Sequence, residues 1–551
     1  MFHSLLVPPD AQRSDRIRLR DDVAHDLDLR SIAHGMTHHG IGEDAILRIL
    51  SELPQSRDEI VYRQETSACF WENGELRSEM DGLVRTMQEL TVFSRSGRET
   101  DRPLLEAIWR LGELELYVEL VERMIETLAR LPACSRGLRL LLDELRVRAA
   151  DPAFEALKRE LPELRSGIKL HQSVTIGVNL DDKLRPVEAA LLGINPRRFK
   201  EGHFLGSFFG KATGDPFITR TPLARTLGPE SLSAQPLERL PLAPLFEELD
   251  SVLRTMLRPV AKRLRAYVGV NTELFRRLFP EIAFYIGSTA YLRSIADAGY
   301  SVTFPRILEQ STRTSAFQGL YNLRLASHWL TRTGVTRMVG NDVGFDDAAR
   351  IFVLTGPNGG GKTTFTQAVG IATTLGQVGL PIPAAAGELA PVDTILTHFP
   401  TEEEFDDELG RFEDEARRIS ELFDRVTGSS LVLLNEPLAS TGPKEAERIA
   451  ESVLGGLSMA GARGVFTTHF HDLARGAETI NREIAGPSVV GTLNAGVRYE
   501  QGRASRTYEI SAGPPAGSSF AEDVARRYRI DQESLGRRIL GRRSDQGRDF
   551  A

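Results

Sequence analysis

From Ile17 to about Pro54 apolar residues recur every three or four positions, at Leu27, Leu29 and Ile32 and again at Ile46, Leu47, Ile49 and Leu50, which predicts a helical entry segment. Asp58–Glu65, reading DEIVYRQE, opens a long helical region broken by Gly97 and Pro103. Beyond the break Leu104, Leu105, Ile108, Leu111, Leu114, Val118, Val121, Ile125 and Leu128 form a stripe near heptad spacing, and Leu138–Leu164 continues it with dense charge between the leucines. Such stripes predict long helices packed through a shared core. At about Gly167 the period shortens: HQSVTIGVNLD alternates β-branched residues, and the Gly-, Pro- and Phe-rich text after it predicts a β-rich insertion. Pro222–Pro244 reads as a connector, and helical periodicity returns over Leu245–Val268 and Thr272–Gly299. From about Thr312, GLYNLRLASHW and VGNDVGF predict short strands and loops that lead into the apolar run Ile351–Leu354.

That run carries the most specific chemistry in the chain. Ile351–Thr364 reads IFVLTGPNGGGKTT, in which Gly356, Gly361, Lys362 and Thr363 satisfy GxxxxGK[ST] behind a buried strand. Glycines at such a turn let successive backbone N–H groups face nucleotide phosphates, the helix start adds a favourable dipole, and a lysine reaches the same oxygens. The expected ATP-binding residues are Gly356, Pro357, Asn358, Gly359, Gly360, Gly361, Lys362, Thr363 and Thr364, with Thr363 holding Mg²⁺ through its hydroxyl. An ATPase of this kind needs a second buried strand ending in a carboxylate. Leu431–Glu436, LVLLNE, supplies it, with Glu436 placed as general base. Asn435 stands where a Mg²⁺-organising aspartate is usual and offers an oxygen without charge, so slow hydrolysis is expected. A third strand, Gly464–Thr467, leads to Thr468 and to His469, a residue positioned to sense the γ-phosphate.

Composition adjusts this picture in a few places. A chain of 551 residues exceeds one core and divides into several compact parts, while 41% hydrophobic and 26% charged residues exclude disordered and fibrous classes. No stretch reaches about 18 consecutive apolar residues and no basic leader opens the chain, so a cytoplasmic location without membrane contact is expected. Cys69 and Cys134, far apart in sequence, argue against a disulfide or a cysteine-based zinc site and fit a reducing compartment. His34, His38 and His39 have no fixed carboxylate partner in view and read as surface histidines. The net charge of −8 requires any nucleic-acid contact to come from a local basic surface. Arg197, Arg198, Lys200, Lys211, Arg220 and Arg225, interleaved with Phe199, Phe204, Phe208, Phe209 and Phe217, are the candidate DNA contact. The same residues also fit a small subdomain with its own phenylalanine core and solvated charges. The acidic run Glu402–Glu415 reads as a solvated face.

GPNGGGKTT, LVLLNE followed by Ser440 and Thr441, and VFTTHFHDLA, in this order and spacing, resemble the ATPase domain of the MutS family of DNA mismatch-repair proteins. The helices before them, the β-rich insertion and the returning helices are similar to that family's core, lever and clamp. The resemblance implies a multidomain fold: a mostly α-helical core/lever region with a small β-rich clamp-like insertion, followed by an α/β P-loop ATPase domain of the ABC type. The implied boundaries are 1–166 and 245–311 for the helical parts, 167–244 for the insertion and connector, 312–530 for the ATPase domain and 531–551 for a tail. It further implies ATP and Mg²⁺ as cofactors and a homodimer in which each ATP lies between one phosphate loop and the other subunit's signature segment. Duplex DNA would lie within the clamps. Lys362, Thr363, Glu436 and His469 would take the phosphate, Mg²⁺, water-activating and γ-phosphate-sensing roles. Gly410 and Phe412 in DELGRFEDEA stand where the signature presents a serine and an aromatic, a departure that weakens the implied contact across the dimer. Gly513–Phe520, GPPAGSSF, resembles the family's late loop and is expected at the dimer face.

The text before the helical core leaves no room for the family's amino-terminal mismatch reader. Phe70-Trp71-Glu72 matches its Phe-x-Glu wedge only inside a core helix, so mismatch reading is not expected. Two functions follow: a DNA-binding ATPase that couples ATP binding and hydrolysis to a helical clamp, or an ATP-gated dimeric scaffold with weak hydrolysis that engages a protein partner. A transport-type ATP-binding subunit, suggested by NEPLAS at Asn435–Ser440, lacks the LSGGQ signature.

Overall fold

The computed structural model describes residues 2–11, 16–38, 40–96, 103–130, 135–169, 173–180, 182, 186–195, 258–267, 270–333, 338–400, 411–500, 503–513 and 528–538. The chain is multidomain and mixes helix with sheet. Two compact units are formed, one from Met1–Val84, Thr127–Glu144 and Arg277–Ala551, the other from Arg85–Glu126 and Leu145–Arg276. Among the described residues no helix is long and apolar enough to cross a membrane.

In the first unit, strands β1 (Arg16–Arg18) and β2 (Glu52–Pro54) pair antiparallel around the short helices Asp21–Asp26, Leu29–Gly35 and Glu43–Ser51. The next helix, Arg57–Glu72, buries polar as well as apolar residues. Its Glu59 and Arg63 form an ion pair at 2.9 Å, Arg63 Nε donates to the Leu6 carbonyl and Tyr62 donates to that of Ser4. A charge this deep is tolerated only when paired and hydrogen-bonded. Phe70 lies wholly buried on the same helix, stacked on Tyr285 at 5.7 Å, where it serves the core.

Three expectations are corrected here. Cys69 is disulfide-bonded. The helix carrying it runs beside the start of Arg136–Ala149, with Thr66 Oγ1 3.3 Å from Ser135 Oγ, so separation in sequence was a poor guide to distance. The reducing compartment inferred from unpaired cysteines loses that support. His34 and His38 do have carboxylate partners, Glu43 and Asp81; His39 lies outside the described residues. Leu323–Thr333, expected as strand and loop, is a helix, started by the Asn322 side chain accepting the Leu325 N–H at 3.0 Å.

The second unit holds the antiparallel hairpin of β3 (Ser173–Leu180) and β4 (Pro186–Asn195), in the stretch where strand alternation is legible. Its helical part is knit by aromatic edges, Phe93 on Trp109 at 5.0 Å and Tyr117 on Phe154 at 5.9 Å. A buried Glu113 accepts from Thr272 at 2.6 Å and pairs with Arg110. The candidate DNA contacts Arg197, Arg198, Lys200, Lys211 and Arg220 lie outside the described residues.

Ten further strands build two sheets in the first unit. They are β5 (Arg306–Ile307), β6 (Ser315–Leu320), β7 (Asn341–Phe345), β8 (Ile351–Thr355), β9 (Ala386–Leu389), β10 (Ile395–His398), β11 (Leu431–Asn435), β12 (Arg463–Thr467), β13 (Val490–Glu500) and β14 (Arg503–Ala512). One sheet runs β5-β9-β6-β7; the other runs β10-β11-β12-β8-β13-β14, parallel from β10 to β13 with β14 antiparallel at the edge. Strands β8, β11 and β12 are buried at every position, as parallel strands covered on both faces must be. Alternation divides their side chains. Ile351, Val353, Val432 and Leu434 join Leu454 and Leu457 of the helix Pro443–Ala460 in one core. On the other face, the helix Lys362–Gln377 fits so closely that a Cβ at Gly370 would lie 2.8 Å from Leu433 and 2.5 Å from Leu27.

One buried cation ties the two sheets together. Arg463, 1% exposed, donates to Ser315 Oγ and the Ala390 carbonyl, both at 2.9 Å, and to the Pro391 and Ser429 carbonyls. Burial pushes its pKa down to about 10, still high enough to keep the guanidinium charged at neutral pH.

Candidate functional site

Because β8, β11 and β12 run parallel, with Asn435 opposite Thr467 and Thr467 opposite Leu354, the loops that follow them leave from one edge of the sheet. That edge of an open parallel sheet is where such folds collect their chemistry. After β8 the chain enters a glycine loop in which Gly356, Gly359 and Gly361 have φ of 134°, 70° and 93°. The first of these cannot be replaced without strain, since a Cβ there would also lie 2.7 Å from the Ala495 Cβ. Pro357 is half-buried and Asn358 exposed at the loop tip.

Lys362, 3% exposed, opens the helix and folds back so that Nζ donates to the carbonyls of Gly356 at 3.1 Å and Pro357 at 3.4 Å. Burial lowers its pKa, and Glu436 at 3.6 Å only partly offsets this. The neighbouring Thr363 donates its hydroxyl to Asn435 Oδ1 at 2.9 Å, and Thr467 Oγ1 donates to the same oxygen at 2.9 Å. Glu436 follows at φ 50°, its N–H held by the carbonyl and hydroxyl of Thr467, both at 3.0 Å. Its carboxylate accepts from His469 Nε2 at 2.8 Å, a bond that holds Glu436 below the usual carboxylate range despite burial. His469 is 41% exposed. Lys362, Thr363, Asn435, Glu436 and His469, far apart in sequence, therefore meet in one cluster.

Beside the cluster opens a cavity of about 420 Å³, walled by Tyr321, Asn322, Leu325, Trp329, Val339 and Phe365. Gly359, Gly361, Lys362, Thr363 and Glu436 line its polar end. Asn322 fixes this wall to the glycine-loop helix by donating to the Thr364 carbonyl at 3.0 Å. A mostly apolar chamber whose lining also includes glycines and a lysine suits a ligand that joins a flat ring to anionic oxygens.

Sequence reasoning missed two contributors. Thr467 was read only as the end of a strand, yet it grips both Asn435 and Glu436. Glu415, expected on a solvated acidic face, is buried: its oxygens accept from the Leu438 N–H and from Ser440 Oγ, each at 2.6 Å, with His398 Nε2 at 3.2 Å. Nothing in an acidic run distinguishes a buried carboxylate from its solvated neighbours, so no local signal could have found it. Residues 401–410, including Gly410, lie outside the described residues; Phe412 is partly exposed on the helix Arg411–Phe423.

Residues 352–533 match the family model of MutS domain V, and residues 55–298 match that of the MutS2 N-terminal domain. Fold and site thus define a multidomain protein of mixed helix and sheet with an ATPase-like domain. Similar curated proteins are each named endonuclease MutS2. The one from Thermomicrobium roseum is 35% identical over 36% of this chain and 24% of its own length. That from Thermus thermophilus is 32% identical over 40% of this chain and 28% of its own. That from Shouchella clausii is 24% identical over 85% of this chain and 56% of its own. Both matched models are MutS-family domains, so the chain is similar to MutS-family proteins over both regions, and it spans about a quarter of the length of the first two of these relatives and about half of the third.

Proposed function

We propose that this protein is a DNA-binding ATPase that couples ATP binding and hydrolysis to a conformational change of a helical clamp on DNA, without reading mismatches. The observation that carries the reading is the convergence of Lys362, Thr363, Asn435, Glu436 and His469 on one sheet edge beside the glycine loop. The loop N–H groups and Lys362 bind phosphate oxygens, Glu436 takes the proton of the attacking water, and His469 orients that carboxylate and senses the γ-phosphate. Mg²⁺ fits here: the Thr363 hydroxyl and the Asn435 amide, 2.9 Å apart, are hard oxygen donors of the kind this ion combines with water and phosphate oxygens. Bound there, it would neutralise charge on the phosphates.

Hydrolysis is slow in this reading because Asn435 brings no charge to the metal. Asn435→Asp should lower the Mg²⁺ concentration for half-maximal turnover and raise kcat, together by about 10-fold. A Mg²⁺ titration of ATP hydrolysis checks this; an unchanged or lower rate would show that the amide is itself the working group.

The helical parts, 1–166 and 245–311, form the core and lever in this reading, 167–244 the clamp, and 312–530 the ATPase domain, which dimerises with a second copy. DNA meets Arg197, Arg198, Lys200, Lys211 and Arg220, and the protein works in the cytoplasm. A disulfide at Cys69 would be unusual there. The deciding experiment is ATP hydrolysis with and without duplex, branched and single-stranded DNA, with binding measured across salt. Binding should weaken steeply as salt rises, because phosphate contacts release counterions. No salt-sensitive binding to any form would favour the second reading, an ATP-gated scaffold for a protein partner, which the uncharged Asn435 also supports.

A further inference from the structure

The loop that follows the general-base candidate is held in an unfavourable backbone. Glu436 and Leu438 have φ of 50° and 65°, the left-handed region that side chains other than those of Gly, Asn and Asp rarely occupy. Such residues persist only where their surroundings over-determine them. For Leu438 the restraint is Glu415. Its Oε1 accepts the Leu438 N–H at 2.6 Å, its Oε2 accepts the Ser440 hydroxyl at 2.6 Å, and His398 at the end of β10 approaches Oε1 at 3.2 Å. Burial raises the pKa of this carboxyl, but the bonds from His398, Ser440 and Leu438 outweigh it and hold the group below its ordinary range. Both Glu415 oxygens thus act as acceptors. One end of the loop is thus fixed by Thr467 through the Glu436 N–H and the other by Glu415 through Leu438 and Ser440.

We propose that Glu415 is a positioning residue for hydrolysis, pinning the strained loop so that the Glu436 carboxylate stays between Lys362 and His469. The helix Arg411–Phe423 thereby acts on turnover through the loop. This rests on the reading of Glu436 as the water-activating group.

The test compares Glu415→Ala, Glu415→Gln and Ser440→Ala, alone and on a Glu436→Gln background, with far-UV circular dichroism as the check on folding. Glu415→Ala should lower kcat by about 10- to 100-fold, as expected for a misplaced catalytic group, while the Kd for ATP changes less than about 3-fold. Glu415→Gln, whose amide oxygen can still accept the Leu438 N–H, should recover part of that loss, and Ser440→Ala should show a smaller one. On the Glu436→Gln background, Glu415→Ala should lower kcat no further, because the group it positions is gone. The proposal is overturned if Glu415→Ala and Glu415→Gln turn over normally, if the loss appears in Kd instead of kcat, or if Glu415→Ala slows the Glu436→Gln protein by the same factor. Should Glu436→Gln itself hydrolyse ATP at the unsubstituted rate, the underlying reading fails and takes this one with it. A slow Glu436→Gln beside an unaffected Glu415→Ala would sink the positioning role alone.

Discussion

Glu436→Gln should bind ATP within a few-fold of the unsubstituted protein and hydrolyse it about 10²- to 10⁴-fold more slowly, the range expected on removal of a general base. The amide keeps the shape of the side chain and an oxygen for His469 Nε2, now 2.8 Å from Oε1, and the backbone grip of Thr467 on the Glu436 N–H is untouched. What disappears is the ability to take a proton. Lys362→Ala should give the opposite pattern. Losing one charge-assisted hydrogen bond to phosphate weakens affinity by about 10- to 150-fold, and the hydrolysis that remains should need correspondingly more ATP. Equilibrium binding of a fluorescent ATP analogue, set beside single-turnover hydrolysis, separates the two variants. Equal loss of affinity in both would show that Glu436 serves binding instead of chemistry.

Arg463→Met should destabilise the first unit by at least about 3 kcal/mol, a large part of the margin of a typical domain. The guanidinium satisfies the buried carbonyls of Ala390 and Pro391, the part-buried carbonyl of Ser429 and the Ser315 hydroxyl. Methionine fills much of the volume but takes the guanidinium donors away from the buried Ala390 and Pro391 carbonyls, and unsatisfied buried groups lose more than the net value of the bonds. Arg463→Lys should recover little of this, since one ammonium cannot reach a fork of acceptors on two sheets. A urea titration followed by circular dichroism measures the shift in midpoint. Weaker ATP binding should accompany it, because Arg463 opens the strand that ends at Thr467. A midpoint equal to that of the unsubstituted protein would mean that the loops after β9 and before β11 relax enough to find water.

The parts of the molecule legible in the sequence are those whose signal is local. A fully buried strand followed by glycines, as in IFVLTGPNGGGKTT, or ended by a polar pair, as in LVLLNE, carries its own boundaries, and β8 and β11 lie where those runs place them. The long helices follow from stripes of leucine that need no knowledge of what they pack against. Partners distant in the chain were not legible. His38 finds Asp81, Cys69 forms its disulfide, and Arg463 reaches back to Ser315. Glu415 is the clearest case. Its sequence context is a run of acids that reads as surface, and only the return of Leu438 and Ser440 against its helix makes it a buried acceptor. The helix Leu323–Thr333 departs from the expected strand and loop for a related reason: its start depends on the side chain of Asn322.

The placement of β8 between β12 and β13 also bears on how the chain comes off the ribosome. Both neighbours are synthesised long after β8, so during translation this five-residue apolar strand waits with two unsatisfied edges. Pairings this distant form slowly and leave the nascent chain open to aggregation meanwhile. A stalled or truncated product ending before Val490 would carry the complete glycine loop yet lack the strand on one side of β8. The stretch that closes the sheet around the first piece of the site is thus made well after that piece.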